Sequence, residues 1–362
     1  MCMMKPPGNP VISYKDSSDD GYAVVGSVSG TSVTFGTPVL FSSTADGIGV
    51  AYDSNSQKVV FAYSGSSDYG TAVVGTVSGT SISFGTEVTF ASASTFTSTG
   101  CIAYDANAQR IVIGYTDAGN SNYGTAIVGT VSGTSISFGS EAVFKNSKSE
   151  QVQVAYEPTS QKVLLAYYNN DSDGKARVGT VSDTSISFGS EVTFETGKTF
   201  GLNATGAQKN VVISYEDDGD SEKGKLIVGT ISGTTVSFGT AVEYESIAIN
   251  GNTFGGFDAT SGRVVVGYEE KSSGQGRAVV FQPASDATNL TSENFIGFAQ
   301  SGFPDTGNAV IDSKGAINDK QSGLTPGQAY YVQTDGTLST TADDPSVFAG
   351  TAVAANKIIV EG

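Results

Sequence analysis

The sequence contains no histidine and no tryptophan among its 362 residues, and only two cysteines. Because Ser-His-Asp hydrolysis, Cys-His hydrolysis and His-ligated zinc sites all need an imidazole, the composition excludes them. Any catalysis would have to use paired carboxylates, lysine, tyrosine or cysteine. The two cysteines, Cys2 and Cys101, are too few for a disulfide framework.

The chain also has little positive charge and no long apolar run. It carries 19 basic against 36 acidic residues, a net charge of −17. Binding to nucleic acid through phosphate neutralisation is therefore not expected. No segment approaches the roughly 20 apolar residues of a membrane helix, and residues 1–10 lack the apolar core of a secretory signal. We expect no membrane insertion.

Glycine is abundant, with 46 residues, and one glycine-bounded motif recurs five times. The motif Gly75-Thr-Val-Ser-Gly-Thr-Ser-Ile-Ser-Phe-Gly85 returns with small changes at 26–36, 129–139, 179–189 and 229–239. Two β-branched or aromatic runs flank Ser78-Gly79, which predicts a β-hairpin with a tight loop that needs a positive φ. One copy has Asp183 in place of this glycine, and aspartate is among the few other residues that tolerate such a φ.

The spacing of the motif predicts the fold. Its phenylalanines are separated by 49, 54, 50 and 50 residues: Phe35, Phe84, Phe138, Phe188 and Phe238. A second hairpin pattern such as 51–63 precedes most copies, and its strand 58–63 is apolar on both faces, as a strand covered on both sides would be. We predict an all-β chain: a β-propeller of about six four-stranded blades, with five as the alternative, followed by a small all-β C-terminal domain.

The domain organisation follows from where the period begins and stops. Residues 1–10 form a leader, 11–284 the propeller of ~50-residue repeats, and 285–362 the small β domain. The first unit begins at its second strand and the last unit is one strand short, so we expect strands near 282 to complete the first unit and close the ring. In the small domain, turn signals predict strands at 329–334, 348–353 and 357–360.

The second strand of each repeat ends in a tyrosine, so a propeller would arrange six tyrosines in a ring. They are Tyr14, Tyr63, Tyr115, Tyr167, Tyr215 and Tyr268. Because tyrosine suits places where one end is apolar and the other is wet, we interpret them mainly as packing residues near the blade edge. The alternative is a set of ligand-binding platforms on which sugars stack.

Several of the loops that follow these strands carry aspartates or glutamates. In one of them, Ser66-x-Asp68-x-Gly70 resembles the Asp-box turn of sialidase-type propellers, where the acid ties down the backbone of its own loop. The alternative is a Ca²⁺ site, formed by Asp171 with Asp173 or by Asp217 with Asp218 and Asp220. No cofactor is otherwise required.

A glycosidase-like propeller enzyme is the most distant alternative. Acids are plentiful, but none stands in an apolar sequence setting that would raise its pKa for acid catalysis. We therefore expect no catalytic residues.

The repeats, with the text GTVSGTSISFG, and the C-terminal text LTPGQAYYVQTDGTLSTT resemble virion structural proteins, tail-fibre or tail proteins, of phages of aquatic bacteria. The resemblance covers nearly the whole chain from Val11. It implies a non-enzymatic protein of the virion tail or fibre, extracellular after release, that contacts other virion proteins and presents its propeller to a host-surface polysaccharide. The alternative role is an architectural decoration or spacer of the tail or capsid, without ligand binding.

Residues 285–362 contain much apolar material for so small a domain to bury alone. We therefore expect this segment to form a homo-oligomer. Threefold symmetry is what the resemblance to tail fibres implies.

Overall fold

The structure is a computed structural model that describes residues 2–4 (backbone only), 9–169, 173–251, 253–283, 295–301, 310–333, 337–342 and 346–361. The chain divides into two compact units, Met1–Pro283 and Ala284–Gly362. The regular structure of the described residues is β, apart from short 3₁₀ turns at Ser66–Asp68, Ala118–Asn120 and Asp218–Asp220. Across these same ranges, no helix has the length and apolar character needed to span a bilayer.

The first unit is a β-propeller of six blades, and the fold class predicted from the sequence is confirmed. Blades 1 and 2 contain β1 Cys2–Met4, β2 Val11–Lys15, β3 Gly21–Ser29, β4 Ser32–Phe35, β5 Val39–Ser42, β6 Asp46–Asp53, β7 Lys58–Ser64, β8 Tyr69–Ser78, β9 Ser81–Phe84 and β10 Val88–Phe96. Blades 3 and 4 contain β11 Ile102–Asp105, β12 Arg110–Asp117, β13 Tyr123–Ser132, β14 Ser135–Phe138, β15 Ala142–Glu157, β16 Lys162–Asn169, β17 Gly174–Ser182, β18 Ser185–Phe188 and β19 Val192–Glu195. Blades 5 and 6 contain β20 Thr199–Ala207, β21 Asn210–Asp217, β22 Lys223–Ser232, β23 Thr235–Phe238, β24 Val242–Ala248, β25 Phe254–Asp258, β26 Arg263–Glu270 and β27 Gln275–Phe281.

Within a blade, all neighbouring strands are antiparallel, and in blades 1 to 5 the outermost position is divided between two strands. In blade 1, for example, β4 and β5 pair with successive parts of β3. Two long strands pass from one blade to the next: β10 pairs with β8 and then with β12, and β15 pairs with β13 and then with β16. Each long strand therefore positions the residues that lie between two blades.

The recurring hairpin has the geometry that its sequence predicts. Ser78 pairs with Ser81, so the two loop residues are Gly79 and Thr80. Gly79 has φ +59°, and Asp183, which replaces glycine in one copy, has φ +54°. The repeat therefore requires the left-handed conformation at this position, and aspartate adopts it where glycine is absent.

The glycine that ends the motif lets one blade approach the next. A Cβ on Gly85 would lie 1.8 Å from the carbonyl oxygen of Thr134, in the hairpin loop of the following blade. The corresponding distances are 2.0 Å for Gly36 and Thr80, 2.0 Å for Gly139 and Thr184, and 1.7 Å for Gly189 and Thr234. Because no side chain fits in this space, glycine is needed wherever a further hairpin follows. Gly239, which no further hairpin follows, has only the oxygen of Val228 within 4 Å, at 3.9 Å.

Apolar cores lie between successive blades, one at each of five seams. An outer-strand aromatic residue of one blade packs on the strand-end tyrosine of the next in each seam. The ring centroids are 5.3 Å apart for Phe41 and Tyr63, 5.3 Å for Phe90 and Tyr115, 5.0 Å for Phe144 and Tyr167, 5.6 Å for Phe194 and Tyr215, and 5.2 Å for Tyr244 and Tyr268. The ~50-residue period is therefore the period of the blade interface.

The two ends of the propeller differ from the expectation. Strand β1, which lies in the predicted leader, pairs with β2 and supplies the first strand of blade 1. The prediction that strands near 282 complete this blade is wrong. Within the described residues, blade 6 has three strands, β25 to β27, and none of them pairs with blade 1. Strand β1 was not predicted because a segment of three residues close to a proline is too short to show a strand pattern.

The second unit is a small β domain. It contains β28 Phe298–Ala299, β29 Ile311–Asp312, β30 Ile317–Asn318, β31 Ala329–Val332, β32 Leu338–Ser339, β33 Val347–Ala354 and β34 Lys357–Val360. The five-stranded sheet has the order β30-β34-β33-β31-β32, and β28 pairs with β29. Its core contains Leu324, Tyr330, Val347 and Ile358. Strands β31, β33 and β34 lie where the turn signals predict them.

Candidate functional site

The structure places five of the six predicted tyrosines in the seams. Tyr63, Tyr115, Tyr167 and Tyr215 are 0% exposed and Tyr268 is 5% exposed. Each hydroxyl donates to a glutamate: Tyr63 to Glu87, Tyr115 to Glu141, Tyr167 to Glu191, Tyr215 to Glu195 and Tyr268 to Glu245, at 2.6, 2.6, 2.6, 2.9 and 2.8 Å. A platform for sugars needs an exposed ring face. These five are packing residues, and the platform interpretation is corrected for them.

The sixth tyrosine, Tyr14, is half-buried and stacks on Tyr22 with ring centroids 5.7 Å apart. The chemistry of the buried five fits a packing role. Burial, and then the adjoining glutamate, raise the pKa of Tyr63, Tyr115 and Tyr167, and they raise the pKa of Tyr268 to about 12. These phenols therefore stay neutral and donate their hydrogen bonds throughout the physiological range.

The aspartates predicted to bind Ca²⁺ are held by lysines. The pairs are Asp173 with Lys175 at 3.0 Å, Asp217 with Lys225 at 2.7 Å, Asp220 with Lys225 at 2.9 Å and Asp218 with Lys198 at 2.9 Å. Asp171 lies outside the described residues. Since an ammonium group already compensates each of the four described carboxylates, they offer less charge to a cation than the sequence suggests. Calcium binding at these loops stays a prediction.

The Asp-box interpretation assigns the loop-tying role to the wrong position. Asp68 has φ +59°, and its carboxylate makes no hydrogen bond among the described residues. In blade 1 the tie comes from an earlier residue, Asp16, whose Oδ1 accepts from the amides of Ser18 and Asp20 at 2.8 and 3.1 Å. The residue two positions after the tyrosine does the same in blades 4 and 5, where Asn169 accepts from the amide of Asp173 at 3.0 Å and Asp217 from that of Asp220 at 3.2 Å. In blade 2 this position is Gly65, which has no side chain to do so.

Three carboxylates do converge, at the junction of blades 5 and 6. Oxygen atoms of Glu216, Asp218 and Glu222 lie within 4.8 Å of one another. Burial, opposed by the amide of Gly251 and reinforced by Glu222, leaves the pKa of Glu216 above its ordinary value. The expectation that no acid has a raised pKa is therefore wrong for Glu216. The ammonium group of Lys271 contacts Glu222 at 2.5 Å, so a lysine also compensates part of the charge of this cluster.

A cavity of about 450 Å³ opens where blades 3 and 4 meet the segment from blade 2. It is lined by Phe96, Thr97, Ser98, Thr116, Asn122, Lys148, Glu150, Gln151 and Tyr168. Phe96 is 58% exposed, so its ring is accessible to a ligand. An aromatic face beside amide and charged groups is an arrangement that binds a polar ring molecule by stacking and hydrogen bonding.

The two long strands build this cavity. Strand β10 ends at Phe96, and β15 carries Lys148, Glu150 and Gln151 along one wall. Strand β15 bulges here, with its register shifting between Glu150 and Gln153 and with Gln151 at φ +48°. Asn122, at φ +61°, closes the wall because its carbonyl accepts from the amide of Ser149 at 3.0 Å. A bulge re-aims side chains in this way.

The charged groups of the cavity are paired with one another. The Tyr168 hydroxyl donates to Glu150 at 2.5 Å, and the Lys148 ammonium contacts the other oxygen of the same carboxylate. Burial alone would raise the pKa of Glu150, but the hydrogen bonds from Lys148 and Tyr168 outweigh it and leave that pKa below its ordinary value. Phe200 packs edge-on against Tyr168 at 5.5 Å and fixes its ring.

Sequence analysis missed every residue of this cavity. Strand alternation places Tyr167 in the seam and its neighbour Tyr168 in the cavity, because successive side chains point to opposite faces. No signal singled out Phe96. The position that pairs with the residue after the strand-end tyrosine is Asp46, Phe96, Glu150 or Phe200 in successive segments, so an aromatic ring occurs there twice.

Known structures share the fold of the first unit. They include AofleA from Arthrobotrys oligospora (7% identity, TM-score 0.53, covering 77% of this chain and 81% of that one) and the BP39L lectin from Burkholderia pseudomallei (10%, 0.56, 78% and 80%). A third is a protein of unknown function from Dyadobacter fermentans (12%, 0.53, 77% and 92%). No family model and no curated protein sequence matches the chain. Because the sequence identities are so low, these similarities establish the β-propeller fold and nothing more.

Proposed function

We propose that the protein is a non-enzymatic, glycan-binding β-propeller of a phage tail or fibre. The observation that carries the binding role is the 450 Å³ cavity with the exposed ring of Phe96 at its edge. A sugar presents an apolar face that stacks on an aromatic ring and hydroxyls that bond to side-chain amides. The shared fold with a protein named as a lectin is consistent with this role. The virion location rests on the resemblance of the repeats and of the C-terminal segment.

The cavity does not have the groups that glycoside hydrolysis requires. Glycosidases use two carboxyl groups, one of them with a raised pKa. This cavity has one carboxylate, Glu150, whose pKa lies below its ordinary value. Its chemistry therefore supports binding without cleavage.

A glycan array tests the binding role. Substitution of Phe96 by alanine should abolish or strongly reduce the signals that the unaltered protein gives. The matched control is Phe35→Ala, which removes a ring that is 54% exposed in blade 1, away from the cavity. Glycan signals that survive Phe96→Ala unchanged would refute the assignment of the site.

The C-terminal unit supports a second role, assembly. Its described residues expose Ile296, Val310, Ile317 and Val353 by 68%, 55%, 56% and 45%. Exposed apolar side chains in so small a domain suit an interface between copies. We propose that residues 285–362 form a trimer and dock the protein among other virion proteins. An architectural role without ligand binding would need only this surface.

Light scattering on the full-length protein tests the assembly role. We expect three times the mass of the chain, and a loss of association in the double variant Ile296→Ser/Ile317→Ser. A monomeric full-length protein at micromolar concentration would contradict the trimer, whatever the glycan array shows.

A further inference from the structure

The cavity holds one cation and one anion, and they neutralise each other. Lys148 contacts one oxygen of Glu150, and the hydroxyl of Tyr168 occupies the other. Neither charge is deeply buried, since the side chains of Lys148 and Glu150 are 48% and 34% exposed. A ligand that enters therefore meets no unpaired cation.

The groups left to bind a ligand are uncharged. The side-chain amide of Asn122 makes no hydrogen bond among the described residues. Gln151 uses its oxygen, which accepts from the amide of Leu202 at 3.2 Å, and has its NH₂ group to offer. With the exposed ring of Phe96, these amides form a set of neutral donors and acceptors matched to hydroxyl or acetamido groups.

We propose, on the basis of the glycan-binding function above, that this cavity selects uncharged sugars and rejects glycans that carry carboxylates. A carboxylate would lose hydration on entry and gain no free cation in exchange. It would also lie near the carboxylate of Glu150. Beyond the cavity, the net charge of −17 repels polyanions at low ionic strength.

A glycan array with neutral, N-acetylated, uronic-acid and sialic-acid glycans tests the selectivity. We expect the signals that depend on Phe96 to come from uncharged glycans. Acidic glycans that bind equally well through Phe96 would overturn the selectivity and leave the glycan-binding function standing. If no signal depends on Phe96, the glycan-binding function itself fails, and the selectivity fails with it.

Charge substitutions test the cause. Glu150→Gln keeps the shape of the side chain but leaves Lys148 unpaired, so binding of uronic-acid glycans should rise at least about tenfold relative to neutral ones, the order expected of a newly available charge pair. Lys148→Met is the matched control and should give no such gain. Thermal melts of both variants verify that they fold. Equal ratios of acidic to neutral binding in all three proteins would overturn the electrostatic basis.

Discussion

Valine occupies the same position of the repeated hairpin in blade 1 and in blade 5, but in different surroundings. Val33 is 46% exposed and Val236 is 4% exposed. Val236 belongs to the core between blades 4 and 5, where Phe194 of the preceding blade packs. The same substitution, valine to alanine, therefore tests whether the repeats are held together by the seams between blades.

The expected costs differ because burial differs. Removing two methyl groups from a buried site costs about 0.8 kcal/mol each in transfer free energy, and the cavity left behind adds to this, giving roughly 2–3 kcal/mol for Val236→Ala. The exposed Val33→Ala should change stability by less than about 0.5 kcal/mol. The loss of intrinsic strand preference is the same in both strands, so it cancels in the comparison.

Thermal unfolding followed by circular dichroism measures the difference. At about 2–4 °C per kcal/mol for a unit of this size, Val236→Ala should lower the Tm by about 5–10 °C and Val33→Ala by no more than about 2 °C. Equal shifts for the two variants would show that the hairpin of blade 1 is covered as fully as that of blade 5. That result would refute the claim that the seams between blades hold the repeats together.

Three further outcomes follow from the structure. Burial and a neighbouring glutamate raise the pKa of Tyr115 above its ordinary 10, so its contribution to stability should be fully present below about pH 10 and should fall as the pH rises further. In Tm measurements Tyr115→Phe should flatten this fall, and an unchanged dependence of Tm on pH would contradict the prediction. Gly79→Asp should cost little, since Asp183 already adopts this φ, whereas Gly79→Val should destabilise by roughly 1–3 kcal/mol in denaturant melts; equal effects would count against the hairpin. Reducing-sugar assays should detect no glycoside hydrolysis, with Glu216→Gln indistinguishable from the unaltered protein; cleavage lost in that variant would establish an enzyme.

The repeat could be predicted from the sequence because its signals are local. Strand alternation, the turn glycines and the period of the phenylalanines all lie within 50-residue windows, and Lys58–Ser64 is buried on both faces from Val59 onward, as its apolar pattern predicts. The missing first strand is different. Cys2–Met4 becomes a strand only through its partner β2, which no local pattern reveals.

The cavity could not be predicted because it depends on irregular backbone. Its walls are set by the bulge in β15 and by positive φ angles at Asn122 and Gln151. Neither the repeat period nor the spacing of the motifs predicts a positive φ at these two residues. The sequence favoured a packing role for Tyr167, with a sugar-binding platform as the alternative, and Tyr167 does pack against Phe144. The cavity is formed instead by residues that vary between blades.

A crystal structure of the protein with the glycan that binds best on the array tests the central claim most directly. The account predicts a sugar ring stacked on Phe96, with its hydroxyl or acetamido groups bonded to Asn122 and Gln151 and with the pair of Lys148 and Glu150 intact. A glycan bound elsewhere on the propeller, with this cavity empty, would contradict it.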